Sequence, residues 1–153
     1  MDTNVIKFIE SNAEYTPHQC FNNALSLAIE QGSGEIVFGI VMIQYCAGYG
    51  IHFHYTTKIG DEFLEREHES QCDRVNHFLP LHSWSVDEYI LEKNTDFDEK
   101  DCTDTDYTVG LVAKHRGLKT KINRFFNAIR TKGSRQAFDT GGIKQLFDTN
   151  KEF

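Results

Sequence analysis

The sequence predicts an α+β fold in a single domain, residues 1–153, on three observations. Residues 35–45 form a run rich in Ile and Val, long enough for a central strand. Residues 51–58 alternate Ile51, Phe53 and Tyr55 with His52, His54 and Thr56, the period of two that a strand imposes on its faces. Capped amphipathic segments lie before and after these strands, so helices flank an antiparallel meander. With 39% hydrophobic and 25% charged residues in 153, the chain can bury a core of its own.

The elements follow in order. Val5, Ile6, Phe8 and Ile9 predict a short amphipathic helix that ends near Asn12. Thr16-Pro17-His18-Gln19 reads as an N-cap Thr, a Pro at the first helical position and a Gln closing a capping box. Phe21, Ala24, Leu25 and Ala28 give that second helix its apolar face, and Gln31-Gly32-Ser33-Gly34 stops it. Cys20 falls in its first turn. Gly39 marks a bulge or close-packing point within strand 35–45, and Gly48-Tyr49-Gly50 marks a turn. Gly60-Asp61 predicts a two-residue hairpin loop, which sets Ile59 against Glu62, Thr56 against Glu65 and His54 against Glu67. Residues 75–81 make a fourth strand, and Ser85-Val86-Asp87-Glu88 is a capping box that opens a helix through Tyr89, Ile90 and Leu91. Residues 96–106 read as a turn-rich acidic loop, and 109–129 as one or two helices. Gly141-Gly142 precedes a short helix around Leu146 and Phe147.

Charge is unevenly distributed. Residues 1–107 carry 6 Lys and Arg against 20 Asp and Glu, whereas residues 108–138 carry 8 and none. A basic segment of this kind docks against the acidic body of its own chain or offers a nucleic-acid surface. The longest apolar run, residues 36–43, falls far short of the roughly 20 residues that span a bilayer. The N-terminal stretch MDTNVIKFIE has neither a basic leader nor an apolar signal core. These features predict a cytoplasmic protein that makes no use of a membrane. Cys20, Cys46, Cys72 and Cys102 are widely spaced with no CxxC pair, which predicts independent reduced thiols.

A thiol nucleophile needs a lowered pKa and a base within hydrogen-bond reach, and the first turn of a helix helps with the former. Cys20 occupies that position. The base is ordinarily a His whose other ring nitrogen is held by an acid or amide. His54 supplies it, with Glu65 or Glu67 on the same face of the neighbouring strand. Asn12 and Gln19 are candidate amide donors for an oxyanion. His52 and His54 also form a strand-borne pair of the kind that binds metals, but Lys58 and Ile59 stand where such a site wants a Glu. No metal or other cofactor is called for. His82, in His82-Ser83-Trp84, reads as a packing corner.

The ordered set of Gln19-Cys20-Phe21-Asn22-Asn23-Ala24, Val37-Phe38-Gly39-Ile40-Val41, His54 and Phe63-Leu64-Glu65 resembles small bacterial and phage papain-like or transglutaminase-like cysteine hydrolases. The resemblance covers residues 16–67 and extends the catalytic-type core to residues 16–82. It implies a Cys-bearing helix packed on an antiparallel sheet, to which charge and apolar spacing add residues 107–153 as a basic helical C-terminal region. It also implies hydrolysis, deamidation or acyl transfer at an amide or thioester, with Cys20 as nucleophile, His54 as base and Glu65 as orienter. The substrate would be a protein, a peptide or a small amide.

The competing reading rests on Ala113-Lys114-His115-Arg116-Gly117-Leu118, which follows the small-residue and Gly pattern of a helix-turn-helix. Nucleic acid would then meet Lys114, Arg116, Lys119, Lys121 and Arg124, and Cys20 and His54 would be structural. An amphipathic helix built on Leu118, Ile122, Phe125, Phe126 and Ile129 accounts for the same stretch by packing.

Overall fold

The computed structural model describes residues 4–17, 19–45, 48–68, 75–88, 104–133 and 145–147. The fold is α+β: a five-stranded mixed sheet with helices against one face. Its strands are β1 (Ile6–Ile9), β2 (Glu35–Tyr45), β3 (Gly48–Ile59), β4 (Glu62–Arg66) and β5 (Val75–Ser85), in spatial order β1-β4-β3-β2-β5. Among the described residues the longer helices are α1 (Cys20–Gln31), α2 (Asp104–Lys114) and α3 (Arg116–Gly133), with residues 86–88 helical after β5 and a 3-10 turn at Gln145–Phe147.

The hairpins obey the sequence pattern. Gly60 adopts φ +60° in the turn between β3 and β4, and Ile59 pairs with Glu62 in the predicted register. Gly39 is both a close approach and the site of a register shift against β5. A Cβ there would come within 2.2 Å of the Leu79 carbonyl oxygen and 2.6 Å of the Phe78 ring. The Ser85 capping box forms reciprocally: Glu88 N–H donates to Ser85 Oγ, and Ser85 N–H donates to the Glu88 carboxylate. Residues 89–103 lie outside the described residues, as do Cys46, Cys72, Cys102 and Gly141-Gly142.

Five expectations are corrected. Residues 6–9 form a strand, not a helix. Ile6 and Phe8 run parallel to Phe63 and Glu65 of β4, and the buried Ile6 joins an apolar cluster that a surface helix would not reach. The sheet is therefore mixed, and it is not a simple meander, because β5 pairs with β2. Gly48-Tyr49-Gly50 belongs to β3, paired with Tyr45, Gln44 and Ile43. Asp104–Asp106 open α2 and so leave the predicted acidic loop, and β5 continues through His82 and Trp84 to Ser85.

Alternation along β2 separates two cores. Ile36, Phe38, Ile40 and Met42 meet Phe21 of α1, Leu118, Ile122 and Phe125 of α3, and Leu146 and Phe147. On the opposite face Val37 and Val41 pack with Ile6, Phe63 and Phe78. This second core is enclosed because the sheet curls until its edges meet. Val5 bridges to His77, and Phe78 N–H donates to the Asn4 carbonyl at 2.9 Å.

Candidate active site

Helix α1 starts later than Pro17 suggests. Gln19 N–H turns back to the Thr16 carbonyl, Gln19 itself is the N-cap with no side-chain capping bond, and Cys20 is the first helical residue. The predicted Gln19 capping box is absent because that residue precedes the helix. Its exposed amide instead accepts a hydrogen bond from Asn22 Nδ2. Asn23 does the holding: its Nδ2 donates to the Thr16 carbonyl, and its Oδ1 accepts from Thr16 N–H, at 2.8 and 2.9 Å. This clamp fixes the chain just before Cys20. Thr57 of β3 then ties the helix to the sheet, its buried hydroxyl donating to the Ala24 carbonyl at 2.7 Å.

The β3–β4 ladder ends at Thr57 and Leu64, and the two strands part beyond it. His54 and Glu65 flank this parting. His54 Nε2 bonds Glu65 Oε1, and Cys20 lies close enough to the same imidazole to favour its charged form. Burial alone pushes His54 down, but the charge of Glu65, hydrogen bonding of the ring toward Cys20 and Glu65, and the charge of Cys20 hold it well above the ordinary histidine value.

Cys20, His54 and Glu65 line a cleft of about 1070 Å³ at the mouth of the curled sheet. His52 and Glu67 also line it. The side chain of Glu67 is exposed, and its N–H donates to the Ile9 carbonyl in extension of the β1 pairing. It does not face His54 as the extrapolated register requires, because the ladder has already ended. Asn12 is not brought to the cleft. Its N–H donates to Glu30 in the last turn of α1, about 15 Å along the helix from Cys20 at 1.5 Å per residue. Hydrogen bonds from Ser11, Gln31 and Asn12 keep Glu30 below the ordinary carboxylate value. His82 packs at a tilt against His115 and Trp84, with ring centres 4.5 and 5.2 Å away.

Other cleft residues carry no sequence motif. Tyr15 stacks on His68 at 4.6 Å, with Phe8 edge-on to the same imidazole. Asn76 of β5 lines the cleft, 8% exposed, and its Oδ1 has no hydrogen-bond partner. Among the described residues no group of three or more His, Cys, Asp or Glu converges to hold a metal ion.

The basic candidates Lys114, Arg116, Lys119, Lys121 and Arg124 are all exposed on α2 and α3. The opposite face of α3 buries Leu118, Ile122 and Phe125. Gly117 has open space where a Cβ would stand, so it does not serve the tight crossing of a helix-turn-helix. No helix among the described residues is long and apolar enough to cross a membrane. No family model, curated protein or solved structure matches the chain.

Proposed function

We propose that the protein is a thiol-dependent hydrolase, deamidase or acyl transferase of papain-like type, acting on an amide or thioester carbonyl. One observation carries the reading: a helix-start thiol, an imidazole and a carboxylate from three separate elements converge in sequence within one cleft. Packing alone gives no reason for a half-buried His to hold a thiol and an acid at once.

The chemistry follows from the hydrogen bonds. The Cys20 thiolate attacks the carbonyl carbon, forming an S–C bond while the carbonyl π pair moves to oxygen. As the tetrahedral adduct collapses, the bond to the leaving nitrogen or sulfur breaks and the His54 imidazolium supplies its proton. Neutral His54 then takes a proton from water or another acceptor, which attacks the acyl-thioester and releases the thiolate. Glu65 keeps the imidazole in one orientation throughout and balances its positive charge.

Alkylation tests the reading. Iodoacetamide near pH 7 should modify Cys20 faster than Cys46, Cys72 and Cys102, as followed by mass spectrometry, and His54→Ala should slow Cys20 at least tenfold. Electrophilic acyl probes should label the same residue. Equal rates at all four thiols, or indifference to His54, would make Cys20 a packed core thiol.

A further inference from the structure

We infer that the cleft takes an extended, peptide-like substrate whose backbone or side-chain N–H is held by Asn76, remote from the reacting carbonyl. The inference rests on the thiol reading above and gives it a substrate class. Asn76 is an anomaly as a structural residue. It stands in β5 opposite the apolar Ile43, yet it buries an acceptor oxygen with no partner. Leaving such a group unpaired costs stability, and an apolar residue of the same size would avoid the cost. Asn76 also lines the cleft that contains Cys20 and His54. The amide torsion of Asn is broad, so a small rotation offers Oδ1 to a ligand N–H.

The register gives the separation. His54 pairs with Gly39 of β2, and Asn76 pairs with Ile43 four residues further along the same strand. At about 3.3 Å per residue and about 4.8 Å between strands, the two positions lie on the order of 13 to 16 Å apart. A free carboxamide cannot span that distance, whereas an extended peptide does so with four or five residues. Between the two ends the cleft offers the half-buried Ile43 and the exposed imidazole of His52. Of the three substrate classes open to this chemistry, peptides are the one that fills the cleft.

The test compares mixed-sequence dipeptidyl and pentapeptidyl acyloxymethyl ketones, in which the thiolate forms an S–C bond as the carboxylate leaves. Wild-type Cys20 should react faster with the pentapeptidyl set. Asn76→Leu should reduce that rate about 3- to 10-fold, the range for one lost hydrogen bond, and leave the iodoacetamide rate unchanged. Its Tm should equal or exceed that of the wild type, and Asn76→Ala should show the same loss of peptide labelling. Equal rates with both probe lengths, or an Asn76→Leu protein that labels normally, overturns the inference while the thiol reading stands. A large fall in Tm would assign Asn76 to the fold and overturns it also. If iodoacetamide does not single out Cys20, the thiol reading fails first and the inference with it.

Discussion

His54 carries opposing influences: its burial disfavours charge, and Glu65 and Cys20 more than offset it. Because its folded value is raised, the stabilisation from its partners is fully present below the unfolded histidine value of about 6.5. It is lost as pH rises through the higher folded value. Glu65→Gln should therefore destabilise the protein by about 2 kcal/mol at pH 6, the scale of a hydrogen bond to a charged group. The difference should shrink as pH passes through the folded value, in urea melts at pH 6 and pH 9. A gap that widened with pH would contradict the assignment. Cys20, His54 and Glu65 were legible from residue type and alternation. Choosing Glu65 over Glu67 was not, because it depends on where the β3–β4 ladder stops. Asn12 misled because proximity in sequence to Cys20 does not reveal that its backbone is tied to the far end of α1. Tyr15, His68 and Asn76 gave no signal, since they reach the cleft through β1 and β5 contacts that no local pattern encodes.

At the scale of elements, the position of Cys20 depends on how α1 is seated. The Thr57 hydroxyl bonds the Ala24 carbonyl one turn after Cys20 and three residues after His54 on β3. Thr57→Val keeps the shape and removes that bond, leaving stability lower by about 1 kcal/mol. Alkylation of Cys20 should fall several-fold, out of proportion to that loss; a rate that did not change would mean that packing alone seats the helix. The strands were legible because period-two alternation, Gly39 and the Gly60 turn all specify one pairing. The type of β1 and the start of α1 were not. Val5–Ile9 is too short to separate helical from strand periodicity, and its tertiary partner β4 decides. Pro17 suits a helix start, but the Asn23 clamp on Thr16 holds the preceding residues in a turn and delays the helix to Cys20.

The whole molecule joins an acidic body to a basic helix that docks by its apolar face, with Leu118, Ile122 and Phe125 buried. Burial of such side chains is worth about 1.5 to 3 kcal/mol each, so packing rather than charge fixes α3. The closure of the sheet has a kinetic consequence. The β2–β3 and β3–β4 hairpins join neighbouring segments, whereas β1 must meet β4 on one side and β5 on the other across long stretches of chain. Contacts between distant segments form late in folding because loop-closure entropy opposes them. The hairpins that bear His54 and Glu65 should therefore assemble before the circle of strands is complete. Ile6→Val, a conservative change in the enclosed core, should accelerate unfolding and leave the refolding rate nearly unchanged in stopped-flow chevrons. A refolding rate that fell in proportion to the lost stability would place β1 in the folding nucleus. On the expected result, β1 is the last strand to join and the first to leave, and the aromatic side of the cleft at Phe8 and Tyr15 opens and closes with it.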